Sequence, residues 1–547
     1  MKKLWILCSM MLALGLWGCQ KPLDEPKKEE EQQQQQQQQQ QEQQQSKEDL
    51  EKKNTYLYVN TFARNTMNLY YLWNKEIKTA LDSWEDTEEP IAKVADIRYH
   101  TGSGKNRVDI DRWTSLYDDF SAFYGSVTGN QKTYGFDFTL YGYDEKTICA
   151  VVTFTYPDSP AAKAGLRRGD VITKVNGKTM KRDSKDSSKI SQEAIDIIYN
   201  ELLDGDKVDL TFLRLAEVDG KQGYVTSECS MNSKEMYEDP VILSKVFDCG
   251  GKKVGYLVFT SFTLEACKDL IRVAKEFKAE GIQELILDLR YNGGGFVYTE
   301  EVLASLLVPE AEIEARSILS TEVYNEGLTE FYATYNEKLT EEQILKGMTR
   351  GVSYFTTEHY LYPNTDDETV ISTAGANIGI TKLYAIIESG TASASEAVLC
   401  DLYPYLDIVL VGQQSHGKYC SGSLMEGPDF FDDYADQLGA NVVKKGKQYT
   451  ENWGLYVMFS RFADKDGVTR CMPDGFTPDY EVEDDPLDGC QLGDAQETML
   501  AEALKLAGYT AKAPAARRTM VERLPIDRIP GIDPFRPEFG MRIFLHK

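Results

Sequence analysis

Between Lys252 and Val411 the chain repeats one pattern, a short apolar run followed by a segment with helical spacing. Val254 to Phe259, Leu285 to Leu289, Leu383 to Ile387 and Ile408 to Val411 are runs of strand length. A run this apolar has no face to give to water, so each strand is expected to be buried. Leu264, Cys267, Leu270, Ile271, Ala274 and Phe277 fall on one helical face, with Gly281 placed to cap the end. Ala394 to Leu402 reads as a second helix. Alternating strand and helix points to α/β layering.

At 547 residues the chain is too long for one core, so further domains are expected on either side. A second β-rich unit precedes the first. Tyr134 to Phe138 and Ile148 to Phe154 read as strands, and Ser159-Pro160-Ala161-Ala162 starts a short helix with a cap and a first-turn proline. Val171 to Val175 is a strand ending in the turn signal Asn176-Gly177, followed by a helix around Glu193 to Leu203 and a strand from Lys207 to Leu213. Tyr56 to Phe123 has mixed three- and four-residue apolar spacing and reads as helical.

The ends are polar or processed segments. Lys2 and Lys3 precede an apolar stretch, Leu4 to Leu16, too short for a comfortable membrane span, which closes on Trp17-Gly18-Cys19. Gln32 to Gln41 lies in a tract that cannot bury a core and is expected to be disordered or loosely helical. Beyond Ala507 the chain turns basic and rich in proline. The net charge of −27 argues against nucleic acid as a partner. Eight cysteines remain beyond Cys19, widely spaced and without a CxxC pair, and no HExxH occurs, so no metal site is expected.

Three features carry chemistry. Ser393 stands in Gly390-Thr391-Ala392-Ser393-Ala394-Ser395-Glu396, between a buried strand and a helix start, where free N–H groups and the positive dipole end suit an oxyanion. Lys418, in Ser415-His416-Gly417-Lys418, follows the strand at 407–412; burial could make it neutral and therefore a base. Gly293-Gly294-Gly295 follows another strand end, where bare backbone N–H groups can approach a carbonyl. His416 is the rival base. It is one of only four histidines, two residues from Lys418.

Together, "SPAAKAGLRRGDVITKVNG", "LILDLRYNGGG", "SGTASASEAVLCDL", "VLVGQQSHGKY" and "PDGFTPDYEVEDD" resemble the C-terminal processing peptidases, over roughly residues 54 to 507. Leu16 to Cys19 resembles a bacterial lipobox. The resemblance implies a multi-domain α+β protein: a small helical N-terminal domain, a PDZ domain and a ClpP- and crotonase-like α/β protease core. The expected divisions are a lipoprotein signal peptide at 1–18, a Gln-rich tether at 19–53, the helical domain at 54–128, the PDZ domain at 129–216, the core at 217–507 and the basic tail at 508–547. It implies Ser393 as nucleophile and Lys418 as base, with Gly294 and the Ala394 N–H as oxyanion hole. It implies Tyr134, Gly135 and Phe136 as the PDZ carboxylate loop, and Cys19 as a lipidated anchor to a membrane of the bacterial cell envelope. Protein or peptide substrates are implied, and no cofactor. Asp288 and Arg290 read as structural.

One position departs from the family pattern. Many members carry a Gln four residues after the lysine, and here that residue is Gly422. Glu396 and Ser421 are candidates for the missing partner. The departure keeps open an alternative, a peptide-binding lipoprotein with weak or no catalysis.

Overall fold

The computed structural model describes residues 26–183, 189–510, 524, 526–528 and 541–544. Its central sheet runs Val241–Cys249, Lys252–Phe259, Glu284–Asp288, Lys382–Ile387, Asp407–Gly412 and Tyr480–Glu481. The first pair is antiparallel and every later pair is parallel. Because side chains alternate along a strand, each strand feeds two cores. Leu285, Leu287, Leu383, Ala385 and Ile387 pack with Leu270, Val273 and Phe277 of the helix Ala266–Glu280 and with the helices Val297–Leu307 and Ala394–Leu402. Ile286, Tyr384 and Ile386 turn the other way, onto Met499, Leu500 and Leu504 of the helix Thr498–Leu506. This is the double cover that fully apolar strands require. Gly281, in the left-handed region at φ 72°, ends its helix as expected.

A second sheet was not legible in the sequence. It runs Gly294–Phe296, Met541–Phe544, Cys420–Glu426, Gly454–Ala463, Ile318–Tyr324 and Val352–Tyr354, with Ser115–Tyr117 also paired to Gly454–Ala463. The N-terminal helices pack directly on it. Val59, Phe62 and Met67 share one cluster with Phe296, Cys420, Leu455 and Tyr456. The segment at 54–128 therefore shares a core with this sheet. The loose tether expected at 19–53 is helical from Pro26, within a single helix Pro26–Tyr70. Gln and Glu are good helix formers, and four-residue pairs such as Gln44 Nε2 to Glu48 at 2.7 Å add to them.

The PDZ-like unit is a sheet in the order Asp527–Arg528, Phe136–Gly142, Ile148–Thr155, Val171–Val175, Lys207–Val218 and Lys221–Asn232. Its division at 216 falls inside a hairpin and moves to beyond Asn232. A buried ionic cluster joins it to the core. Arg168 reaches the Tyr291 hydroxyl and Asp484 Oδ1, each at 2.6 Å. Arg290 contacts Asp288 at 2.7 Å, Asp484 at 2.8 Å and Glu497 at 2.7 Å. Asp288 and Arg290 are structural, as their sequence context suggested. The eight described cysteines are all free thiols. Among the described residues no helix is long and apolar enough to cross a membrane. The leader 1–18 and Cys19 lie outside the described residues.

Candidate active site

In an open parallel sheet the loops leaving the carboxyl ends of the strands converge, and ligands bind there. Three such loops carry the candidate chemistry: Leu289 to Gly295 after Glu284–Asp288, Glu388 to Ser393 after Lys382–Ile387, and Gln413 to Lys418 after Asp407–Gly412. They are stapled together. Thr391 Oγ1 donates to Leu289 O at 2.8 Å, Ser395 Oγ to Asn292 O at 3.0 Å, and the His416 N–H to Thr391 O at 3.0 Å.

Ser393 is fully buried and holds φ 61° and ψ −112°, a conformation L residues rarely adopt. Such backbone costs on the order of 1–3 kcal/mol and must be held by its surroundings. Glu396 provides that hold. Its Oε2 accepts from the amides of Ser393 (3.1 Å) and Lys418 (2.8 Å), while Oε1 accepts from Gly417 N–H (2.8 Å) and Ser415 Oγ (2.5 Å). One carboxylate oxygen thus spans the backbones of the serine turn and the lysine loop. Burial pushes the Glu396 pKa up, and its four hydrogen bonds work against that rise. The Ser393 Oγ itself has no hydrogen-bond partner, so it is uncommitted in the resting chain.

Lys418 is fully buried. Its Nζ donates to the Tyr456 hydroxyl at 2.8 Å and lies 4.9 Å and 5.6 Å from the ring centres of Tyr456 and Trp113. Burial lowers its pKa to about 7, against weaker raising effects of Cys420, Asp111 and Glu396. A lysine so placed is substantially neutral near pH 7, as a base must be. Trp113 comes from the N-terminal region, which therefore contributes a wall of the lysine pocket. Glu396, one of the two sequence candidates for the third partner, holds the Lys418 amide and not its amine. Ser421 is buried in the strand Cys420–Glu426.

Tyr456 is the residue that sequence reasoning missed. It lies in Gly454–Ala463, across from Cys420–Glu426, and its ring fills the space beside Gly422. A Cβ added at Gly422 would come within 2.1 Å of that ring. The Tyr456 ring thus stands beside position 422, although 34 positions separate the two along the chain. The apolar run Leu455 to Phe459 was the available signal, but nothing local ties it to Lys418.

The backbone around the expected oxyanion donor, Gly294, is partly committed to other bonds. The Gly294 N–H is already given to Asn292 Oδ1 at 2.9 Å. Phe262 takes the Phe296 N–H and donates to Gly294 O, both at 2.8 Å. Successive strand residues turn their amides to opposite sides, so Gly295 turns its amide away from Phe262 and toward the strand Met541–Phe544. Its φ of 143° and the Phe262 carbonyl 2.5 Å from any added Cβ restrict the position to glycine. Ala394 is the first residue of its helix, as expected. His416 is pushed down to about 4, first by burial and then by Arg112 and Lys418; Ser393 Oγ is hydrogen-bonded to neither His416 nor Lys418. A cavity of about 230 Å³ opens beside Phe296, lined by Tyr298, Glu301, Glu322, Tyr324 and Arg350. Among the described residues no three His, Cys, Asp or Glu side chains are grouped to hold a metal.

In the PDZ-like unit, Tyr134 is buried and Gly135 has φ 76°. The Tyr134 and Gly135 carbonyls accept from Ala161 and Tyr156, which fixes the loop against the start of the strand Phe136–Gly142. A strained serine at a helix start, a buried neutralised lysine and a glycine strand form the constellation of a serine-type peptidase.

Comparison with known proteins agrees. Residues 253–482 match the model of peptidase family S41 and residues 151–195 match a PDZ domain model. Over those residues the chain is similar to the C-terminal processing peptidases of that family. It is 29% identical over 297 residues to carboxyl-terminal-processing peptidase 1, chloroplastic, of Arabidopsis thaliana, covering 54% of this chain and 47% of that protein. It is 22% identical over 275 residues to the carboxy-terminal processing protease CtpA of Bacillus subtilis, covering 50% and 46%. The chain thus spans about half the length of the curated relatives it matches. A solved chain from Bacteroides fragilis described as an S41 protease shares the fold, with a TM-score of 0.57 at 22% identity, over 82% of this chain and 97% of that one.

Proposed function

We propose that this chain is a serine endopeptidase working by acyl transfer through a Ser393–Lys418 dyad. The observation that carries the reading is the pairing of an uncommitted Ser393 Oγ at a strained helix start with a buried Lys418 near neutrality. Lys418 takes the Ser393 proton, and Ser393 Oγ attacks a peptide carbonyl. The N–H groups of Gly295 and Ala394 receive the oxyanion, and Lys418 returns the proton to the leaving amine. Water then releases the acyl group by the same steps. Tyr456 takes the place of the absent Gln by fixing the lysine amine through its hydroxyl.

Substrates would be exported proteins or peptides, whose extended tails add to the edge of Phe136–Gly142 beside the Tyr134–Phe136 loop. The sequence from Lys2 to Cys19 supports a lipid-anchored place in the bacterial cell envelope. The test is cleavage of an unstructured protein by the purified chain beside its Ser393→Ala and Lys418→Ala variants. Cleavage by wild type alone supports the dyad, and equal cleavage by either variant sinks it.

A further inference from the structure

The strand Met541–Phe544 lies between Gly294–Phe296 and Cys420–Glu426, parallel to both. Its register sets Met541 opposite Gly294, Arg542 opposite Gly295, and Ile543 opposite both Phe296 and Gly422. Those neighbours are the glycine strand of the oxyanion site and the strand that leaves Lys418. The two are joined in the sheet only through this segment. Without it, two unpaired edges would face each other across the width of one strand, which is how a protein receives an extended peptide.

The same part of the chain also meets the PDZ-like unit. Asp527–Arg528 pairs antiparallel with Phe136–Gly142, Asp527 opposite Gly142 and Arg528 opposite Tyr141. That register runs the segment toward Tyr134–Phe136, the direction a captured tail would take. Leu524 and Ile526 pack on Tyr141, Cys149, Val151 and Val171. Arg528 Nη1 sits 3.5 Å from Glu388 Oε2, on the loop that leads to Ser393.

We infer that Asp527–Arg528 and Met541–Phe544 are the two ends of a tethered peptide ligand of this protein's own PDZ edge and catalytic cleft, competing there with substrate and marking extended polypeptide as the class both sites accept. The substrate half of this inference rests on the proposed peptidase function; occupancy of the cleft does not. A tether gives the segment an effective concentration of about millimolar order, so free substrate must displace it.

The test uses the full chain in a Ser393→Ala background, with and without Ile543→Pro. Proline removes the Ile543 N–H from the strand Met541–Phe544, and unchanged exchange in Glu284–Asp288 and Lys382–Ile387 reports that the central sheet is kept. Amide exchange in Gly294–Phe296 and Cys420–Glu426 is expected to speed up about tenfold or more in the proline chain. A synthetic peptide of residues 524–544, added in trans, is expected to restore the slow exchange. With Ser393 intact, Ile543→Pro is expected to lower KM about threefold or more with kcat unchanged. Equal exchange with and without Ile543→Pro overturns the inference, whatever the activity. Unequal exchange in a chain that is inert with Ser393 intact upholds the occupancy and overturns the peptidase reading alone.

Discussion

Lys418 and Arg290 are both buried cations, and they are treated in opposite ways. Arg290 is ringed by Asp288, Asp484 and Glu497. Burial alone would lower its pKa, but those carboxylates outweigh it and keep the guanidinium charged. Burial likewise works to raise Asp484, yet Arg168 and Arg290 hold it well below the usual carboxylate range. Lys418 has a tyrosine hydroxyl and two aromatic faces instead, and its pKa falls to about 7. The difference separates a charge kept for structure from one made removable for chemistry. It also explains the residue types, since guanidinium stays charged under almost any burial and an amine does not.

The largest expected effect is on turnover. Ser393→Ala and Lys418→Ala should each lower kcat by about 10⁴-fold or more, read from cleavage of an unstructured protein. If either retains wild-type turnover, the dyad is wrong.

Next comes stability, where the two cations should part. Arg290→Met strands buried carboxylates and should cost about 3–5 kcal/mol in denaturant unfolding. Lys418→Met strands none and should leave the midpoint at neutral pH unchanged or higher. For Lys418 the sign follows from its lowered pKa. Between pH 7 and 10.5 the unfolded chain holds a proton that the folded chain has released, so its contribution to stability rises with pH across that window. Lys418→Met should remove that slope. Equal losses for both substitutions would erase the distinction between the two sites.

A smaller effect belongs to Tyr456. Tyr456→Phe keeps the ring that Gly422 accommodates and removes only the hydroxyl, so kcat should fall about 10- to 100-fold with KM little changed. The acid limb should also move to lower pH, because the protonated amine loses an acceptor. A purely structural tyrosine would leave the limb in place. The smallest effect is expected at His416. Already neutral, with a pKa near 4, it should tolerate His416→Gln within about threefold in kcat/KM. A loss as large as that of Lys418→Ala would hand the role of base to the histidine.

The sequence showed whichever parts are encoded locally. The parallel strands, the helix Ala394–Leu402, Ser393 and Lys418 all follow from short apolar runs and the turns at their ends. Arg290 could be set aside because it sits two residues from its partner Asp288. Tyr456 and Trp113 could not be found this way. They reach Lys418 from distant parts of the chain, across a sheet whose strands come from both ends of the sequence. The bond from the Gly294 N–H to the Asn292 side chain, which bears on which glycine amide stays available, was not legible either. That the N-terminal helices share a core with the second sheet was not legible, because amphipathic spacing shows that a face is buried but not what covers it.

The most direct test of the account is the pH dependence of kcat/KM for wild-type cleavage of an unstructured protein. A lysine that must be neutral gives activity that rises with pH and levels off above an apparent pKa near 7. An acid limb near 4, the range of His416, would contradict the assignment of Lys418 as the base.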